Sequence, residues 1–314
     1  MRSIRCLPIL LALSFRAAVL SAQPFVFTPQ WTAQAQFAGY YVAQELGFYR
    51  EEGVEVQIVH PSASRSAVDR LRTGESDATT FQLAQALEVT DGGFPLVNIL
   101  QTSMNNALVI VSRRGRNPLE QRGARVGIWN AGFDQLALCM CQKEHLDYEW
   151  VRFVNNVNLF VAGAIDATFA MSYNEYYQLL QTGIALTEEN VYRFSEHGYN
   201  VQEDGVYMPL SVFRKKRDQA GRFARASRRG WEWAAEHPEE TLDIVMKYVA
   251  ADHVATNRIL QQLMLEEVLR LQLDRESGLR EFRLRPDMVD RASDLLREGG
   301  MLRRKISCEE LLAR

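Results

Sequence analysis

The chain has 314 residues, of which 47% are hydrophobic and 24% are charged, and its formal net charge is −3. A chain of this length is too long for one ordinary hydrophobic core, so we expect two lobes of roughly 100–150 residues each. The composition is typical of a folded globular protein and excludes a long disordered chain or a bundle of membrane helices. Binding to nucleic acid needs concentrated positive charge, and the acidic balance argues against that partner.

The first 22 residues have the pattern of a secretory signal peptide. Arg2 and Arg5 precede an apolar stretch over residues 6–15, and small residues follow as far as Ala22. This order is that of an export signal, and the apolar stretch is too short to span a bilayer as a helix. A buried N-terminal helix is the alternative interpretation. We predict cleavage near Ala22 and an exported, periplasmic protein that is soluble after signal-peptide removal and carries no lipid anchor.

The predicted elements of the next part of the chain form a βαβαβα series. They are strands at 24–28, 54–59 and 78–81, and helices at 38–50, 64–72 and 83–90. The strands are short β-branched or alternating runs, and glycines follow the helical patterns. Such a series implies a largely parallel sheet with helices on both faces, whose ligand crevice lies at the carboxyl ends of the strands.

A second series of predicted elements follows. It has strands at 108–111, 124–129, 151–154 and 167–171, and helices at 133–144, near 158–162 and at 173–181. From residue 215 the pattern is helical almost throughout, and a new helix begins at Pro238. We therefore predict a signal peptide at 1–22, the first part of lobe 1 at 23–111, lobe 2 at 112–206, and a return to lobe 1 with C-terminal helices at 207–314.

The cysteines and histidines show no pattern of a disulfide or a metal site. Beyond the leader only Cys139, Cys141 and Cys308 remain, and the first two point to different faces of a predicted helix. The histidines are scattered without the spacing of metal ligands. We predict no cofactor and no metal ion.

The segment at 31–56 carries the clearest recognition chemistry. A loop after the first strand presents the indole of Trp31 and the amides of Gln34 and Gln36, just before a helix begins. This arrangement offers stacking, hydrogen bonds and free backbone N–H groups to one ligand. The alternative is that the aromatic residues of this segment pack in the core, which we favour for Tyr41 and Phe48.

Several groups of residues in this segment form a series: Trp31-Thr32-Ala33-Gln34, Phe37-Ala38-Gly39, Tyr41-Val42-Ala43, Gly47-Phe48-Tyr49 and Gly53-Val54-Glu55-Val56. The series resembles the signature of the thiamine-precursor (hydroxymethylpyrimidine) binding branch of periplasmic solute-binding proteins, which is related to the sulfonate, taurine and nitrate binders of ABC importers. The resemblance implies an α/β, two-lobed type II periplasmic binding fold, with the ligand cleft between lobes that have mainly parallel sheets.

Two positions depart from the pattern of that family. Phe37 stands where the family has histidine, and Gln34 stands where it has asparagine. The fungal relatives that build a pyrimidine use that histidine together with a dense cysteine motif. Because this chain has neither, we predict that it is not such a synthase.

Four further groups follow predicted strands or lie where the chain recrosses to lobe 1: 80–82, 129–132, 171–175 and 203–207. The predicted ligand-binding set is Trp31, Gln34, Phe37, Tyr40, Phe81, Gln82, Trp129, Asn130, Ala131, Tyr173, Glu175 and Asp204. The resemblance implies that Glu175 accepts a hydrogen bond from an exocyclic amine or a cationic ring. A structural polar role is the open alternative for the others, whereas we favour Trp31 and Glu175 as ligand contacts.

The resemblance implies the solute-binding protein of an ABC importer, which closes its lobes on a small heteroaromatic ligand such as a pyrimidine thiamine precursor. It implies a monomer, a membrane permease as partner and no enzyme activity. One alternative is a sensor input protein for a membrane receptor or kinase. The other is a pyrimidine-forming or hydrolytic enzyme, for which His60 and His197 are candidates, although their spacing gives no catalytic triad.

Overall fold

Two five-stranded sheets organise the computed structural model, which describes residues 23–113, 117–130, 132–153 and 157–312. The strands of the first sheet are β1 Phe25–Thr28, β2 Val56–Ile58, β3 Ala78–Gln82, β4 Leu96–Gln101 and, from later in the chain, β10 Asp204–Pro209. The strands of the second sheet are β5 Leu108–Ser112, β6 Arg125–Trp129, β7 Glu149–Phe153, β8 Ala167–Met171 and β9 Val191–Arg193. The predicted leader at 1–22 lies outside the described residues.

The helices pack on the faces of these sheets and between them. The helices of the first two thirds are α1 Ala38–Glu45, α2 Phe48–Glu51, α3 Ala67–Thr73, α4 Leu83–Asp91, α5 Gln135–Lys143, α6 Asn158–Val161 and α7 Glu175–Gln181. The later helices are α8 Leu210–Glu236, α9 Pro238–Ala251, α10 Arg258–Leu271, α11 Pro286–Glu298 and α12 Cys308–Leu311. In the described part of the chain, no helix is both long and apolar enough to cross a membrane.

Each sheet contains one inverted strand. The first sheet has the order β2-β1-β3-β10-β4, and β10 runs antiparallel to both β3 and β4. The second has the order β7-β6-β8-β5-β9, and β5 runs antiparallel to both β8 and β9. The other four strands of each sheet therefore share one direction. The predicted α/β fold with two lobes and mainly parallel sheets is confirmed.

The chain passes from one sheet to the other twice, between β4 and β5 and again between β9 and β10. The predicted lobe boundaries, after residues 111 and 206, fall inside β5 and β10. Sheet membership places both crossings several residues earlier. In the sequence β5 follows the first apolar series directly, whereas its pairing partners β8 and β9 come much later in the chain.

Two helices have bounds that differ from the predicted ones, and the residues at their ends explain the differences. The helix expected at 38–50 is two helices, because Gly47 adopts φ 80°, a left-handed conformation that interrupts the helical hydrogen bonds. The helix expected at 64–72 begins only at Ala67. Ser66 caps it, accepting at its hydroxyl from the Asp69 N–H, while the Asp69 carboxylate accepts from the Ser66 N–H.

Helix α8 lies against α1 on lobe 1. The Phe223 ring stacks on Phe25 at 4.8 Å between centroids, and two glycines bring the helix backbones together. A Cβ atom at Gly230 would lie only 2.0 Å from the Gly39 carbonyl oxygen. Helix α8 therefore packs on lobe 1.

The later helices contact both lobes. On α10, the Gln261 side chain accepts from the Ala35 N–H of lobe 1, and Glu267 accepts from the Ser172 hydroxyl of lobe 2. Helix α11 packs on both α4 and α5. The C-terminal helices therefore contact lobe 2 as well as lobe 1.

Candidate ligand-binding cleft

The carboxyl ends of strands from both sheets meet around one gap, which we call the cleft. β1 leads into it with Gln30 and Trp31, β3 ends there at Gln82, and β6 ends there at Trp129. The space free of protein atoms between these residues is about 310 Å³ and is partly open to solvent. It is lined by Gln30, Trp31, Gln34, Gln36, Gln82, Trp129, Phe133, Met171, Tyr173, Asn174 and Glu175. A ligand in this position would contact both lobes at once.

Aromatic rings form the walls of the cleft. Trp31 of lobe 1 and Phe133 of lobe 2 meet edge to face at 5.7 Å between centroids. Trp129 packs against Phe153 on the lobe 2 side, and Tyr173 is buried. A planar ring entering the gap would find aromatic faces from both lobes, and such pairs favour stacked or edge-to-face contacts.

A buried histidine holds the Trp31 loop in place. The Trp31 carbonyl oxygen can only accept, so His60 donates to it from Nδ1 over 2.7 Å. His60 Nε2 then accepts from the Tyr41 hydroxyl over 2.9 Å. Burial lowers the pKa of His60, which keeps the ring neutral with the proton on Nδ1. His60 is therefore a positioning residue for Trp31, a role that its place in the sequence does not reveal.

Glu175 fixes the lobe 2 side of the cleft. Its carboxylate accepts from the Trp129 indole N–H at 3.0 Å, from the Met171 backbone N–H at 3.0 Å and from the Asn174 side-chain amide at 3.2 Å. Burial raises the pKa of Glu175, and these donors limit the rise. The carboxylate thus orients the Trp129 indole as well as lining the gap.

Asp204 performs the corresponding task on the lobe 1 side. One of its oxygens accepts from the Gln30 amide at 2.9 Å, and the other accepts from the Gln36 amide at 2.6 Å. Burial raises the pKa of Asp204 to about 6, although both amides oppose the shift. Asp204 holds the side-chain nitrogen of Gln30, Nε2, and this fixes the orientation of the side-chain oxygen Oε1. That oxygen is buried and has no hydrogen-bond partner among the described residues.

The electrostatic character of the cleft is therefore acidic and rich in acceptors. The described lining contains the Glu175 carboxyl group and no lysine, arginine or histidine. An anionic ligand would find no cationic partner there, whereas N–H donors would find oxygen acceptors. No cluster of three or more His, Cys, Asp or Glu side chains in the described chain is placed to hold a metal ion.

The structure brings most of the predicted site residues together. Trp31, Gln34, Gln82, Trp129, Tyr173 and Glu175 line the cleft. Phe81 and Asn130 line a wider opening that adjoins it and shares Gln30, Trp31 and Phe133 with it, and Asp204 lies behind the Gln30 and Gln36 amides. Ala131 lies outside the described residues. Contact of these side chains with a ligand stays a prediction.

Two other predicted site residues lie in the core of lobe 1 and outside the cleft lining. The ring of Phe37, in the 3₁₀ turn Ala35–Phe37 before α1, is fully buried near His60. The ring of Tyr40 packs against Phe27 and Phe223. Tyr40 therefore stands on the face of α1 that meets β1 and α8.

The sequence reasoning missed two residues that line the cleft. Gln30 stands directly before Trp31 at the end of β1, and that position was its only signal. Phe133 follows Gly132, which has φ 72°. A glycine turn after a predicted strand end indicated a close backbone approach, but not that the next side chain reaches across to Trp31.

Comparisons with known proteins agree with this architecture. The NMT1/THI5 like family matches residues 34–241. The formylaminopyrimidine-binding protein of Halalkalibacterium halodurans is 23% identical over 227 residues, which are 69% of this chain and 68% of that protein.

Solved structures share the fold. The ligand-binding component of an ABC-type import system from Staphylococcus aureus, with zinc bound, has a TM-score of 0.66 at 8% identity, covering 92% of this chain and 96% of that one. The alkanesulfonate-binding protein SsuA from Xanthomonas axonopodis pv. citri, bound to MOPS, has a TM-score of 0.67 at 13% identity, covering 94% and 100%. At such identities the likeness shows the fold alone. Since the family match extends over more than half of the sequence, the chain belongs to the NMT1/THI5 like family and has the fold of periplasmic binding proteins.

Proposed function

We propose that this protein is the extracytoplasmic solute-binding protein of an ABC importer and that it binds a small, donor-rich heteroaromatic molecule, such as a pyrimidine thiamine precursor. The observation that carries the ligand class is the cleft between the lobes, which combines aromatic walls with oxygen acceptors and has no cationic side chain in its described lining. An aminopyrimidine offers a flat ring and N–H donors, which complement both features. The name of the formylaminopyrimidine-binding relative supports the same class.

The same lining argues against a sulfonate or nitrate ligand. Burial of an anion is unfavourable unless cationic or N–H groups compensate its charge. Here the acidic side chains Glu175 and Asp204 lie in or beside the cleft, and both have raised pKa values. A sulfonate would add negative charge to this region. The likeness to a sulfonate binder therefore extends to the fold and not, in our proposal, to the ligand.

Binding without catalysis is the simplest role for these side chains. His60 already uses both ring nitrogens, one for the Trp31 carbonyl oxygen and one for the Tyr41 hydroxyl. Burial raises the pKa of the Cys139 and Cys141 thiols to about 12, which makes them poor nucleophiles. The import role rests on the fold shared with a component of an import system, and it implies docking of the closed form on a membrane permease.

Lobe closure is the proposed mechanism. The lobes touch through Trp31 and Phe133, and the Gln135 amide of α5 donates to the Glu88 carboxylate of α4 over 2.7 Å. A ligand held by one lobe adds contacts for the other and shifts the open–closed equilibrium by the difference in its affinity for the two forms.

Isothermal titration calorimetry tests the proposal. The ligands are 4-amino-5-hydroxymethyl-2-methylpyrimidine and, as the anionic comparison, taurine. We expect the pyrimidine to bind and taurine not to bind. Replacing Trp31 with alanine should weaken pyrimidine binding about 5- to 150-fold, since stacking of a base on an aromatic side chain contributes about 1–3 kcal/mol. Trp233→Ala, on α8 and stacked on His237 away from the cleft, is the matched control and should bind normally. Tighter binding of taurine than of the pyrimidine would refute the proposed ligand class.

A further inference from the structure

A second cavity lies at the two crossings between the lobes, and we call it the hinge cavity. It has a volume of about 350 Å³ and is partly open to solvent. Asn106 and Ala107 of the first crossing line it, as do Ser195 and Glu196 of the second. Its described lining shares no residue with that of the cleft. A cavity of this size can hold a small organic molecule.

Three arginine side chains line the hinge cavity. Arg193 ends strand β9 of lobe 2, Arg270 is on helix α10, and Arg275 follows in the loop after α10. Arg270 is neutralised within the protein, because its guanidinium donates twice to the Glu267 carboxylate, over 2.7 Å each time. Glu267 in turn accepts from the Ser172 hydroxyl. The charge of Glu267 is therefore compensated without the other two arginines.

Arg193 and Arg275 are held by neutral groups and form no ion pair with a carboxylate in the described part of the chain. The Arg193 guanidinium lies over the Tyr176 ring, 5.0 Å from its centroid. Arg275 donates from one guanidinium nitrogen to the Ser195 carbonyl oxygen over 3.2 Å. A guanidinium group has five N–H donors in a planar fork, so both side chains keep most of their donors for another partner.

The remaining polar lining favours the same kind of partner. The Asn106 side chain is 3% exposed, and its amide nitrogen has no hydrogen-bond partner among the described residues. Buried polar groups are almost always paired, so this nitrogen indicates an acceptor that the protein itself does not supply. Glu196 is exposed and forms no ion pair with either arginine in the described chain. A ligand with negative charge and several acceptor oxygens complements these donors.

We infer that the hinge cavity is a second binding site, for a small dianionic oxyanion such as a dicarboxylate or a phosphate monoester. Its oxygens accept from Arg193 and Arg275, because planar guanidinium groups match carboxylate and phosphate oxygens with two parallel hydrogen bonds. Arg193 belongs to lobe 2 and Arg275 follows α10, so the bound anion joins lobe 2 to the C-terminal helices. The site goes beyond the proposed function and does not depend on which ligand occupies the cleft.

Calorimetry with succinate and with inorganic phosphate tests the site, at low ionic strength where screening is weak. Succinamide, which has the carbon chain of succinate without its charge, is the neutral comparison. We expect the wild-type protein to bind at least one of the two anions and not succinamide. Arg193→Gln and Arg275→Gln should each weaken anion binding about 10-fold or more, as for loss of a hydrogen bond between charged groups. Binding of only one anion identifies the oxyanion as carboxylate or phosphate.

Two control variants separate this site from general charge effects and from the cleft. Arg122→Gln removes the same charge from an exposed arginine of lobe 2 that donates to the His145 carbonyl oxygen, and it should bind the anion normally. Trp31→Ala changes the cleft and should also bind the anion normally. Taurine carries an ammonium group that the arginines would repel, so its use as a test of the cleft is unaffected.

Four results would overturn the site. They are the absence of binding by both anions, equal binding of succinamide, full anion binding in both Arg193→Gln and Arg275→Gln, and an equal loss in Arg122→Gln. Loss of anion binding in Trp31→Ala would place the anion in the cleft and would overturn the proposed ligand class as well. Failure of the pyrimidine to bind, with anion binding lost only in the two hinge-cavity variants, would refute the proposed function and support this site.

Discussion

Lowering the pH from 7 to 5 should weaken ligand binding about tenfold through one residue, Asp204. Its ionised carboxylate accepts from both the Gln30 and the Gln36 amides, and this fixes the free carbonyl oxygen of Gln30 toward the cleft. Protonation of Asp204 turns one of its oxygens into a donor, so one of the two amides loses its acceptor. The side-chain oxygen of Gln30 is then no longer held in a fixed position. Ligand binding should therefore select the ionised form.

The size of the effect follows from the pKa of Asp204, which burial raises to about 6. At pH 7 about one molecule in ten carries the proton, whereas at pH 5 about ten in eleven carry it. If only the ionised form binds, the apparent dissociation constant rises about tenfold over this interval. At pH 6 about half of the molecules are protonated, so binding should release about half a proton.

Calorimetry of the hydroxymethyl aminopyrimidine at pH 5, 6 and 7, in two buffers of different ionisation enthalpy, measures both the affinity and the proton release. Asp204→Asn is the matched control, because it cannot titrate while any titration of the ligand itself persists. The difference between the two proteins isolates Asp204. Equal pH dependence in both proteins, or proton uptake by the wild type relative to the variant, would refute the reasoning.

Three further substitutions test the site and the core. Glu175→Gln should weaken pyrimidine binding about 10-fold or more in a calorimetric titration, because it replaces one of two acceptor oxygens with a donor that faces N–H groups. Circular dichroism should show that this variant remains folded. His60→Leu leaves the Trp31 carbonyl oxygen without its donor and should lower the free energy of unfolding in urea by about 1–3 kcal/mol. Gly230→Ala should lower the free energy of unfolding by about 3 kcal/mol, since the new Cβ would overlap the backbone of α1. Gly221→Ala, in the same helix, has room for a Cβ and should raise that free energy by about 0.5–1 kcal/mol. Unchanged stability of Gly230→Ala would contradict the close contact of α1 and α8.

The sequence predicted those features that local patterns determine. The strand ends at Thr28, Trp129 and Met171 follow from short β-branched or apolar runs, and the helix that follows each one sets the repeating order. Placing side chains at those ends was then enough to assemble most of the cleft, because parallel strands bring their carboxyl ends to one edge. Trp31 and Glu175 were found in this way.

Features that depend on distant pairing could not be predicted. β10 inserts between β3 and β4 although more than 100 residues separate it from both, and no local pattern states which strand it pairs with. The link from Gln30 to Asp204 spans 174 positions of sequence. The ring of Phe37 is buried near His60, a contact that its position just before a helix does not reveal.

The arrangement of acceptors explains how a shared fold can select a different ligand. Strand ends and helix starts supply the same gap throughout this fold, so selectivity must come from side chains that face the gap. Here Asp204 and Glu175 each hold their neighbours by accepting from them, which leaves oxygen atoms and aromatic faces toward the ligand. The oxygens of both carboxyl groups are already paired within the protein, so a donor on the ligand would meet the unpartnered side-chain oxygen of Gln30 that Asp204 holds in place. An anion bound in the cleft would instead add negative charge beside these two buried carboxyl groups, which is unfavourable.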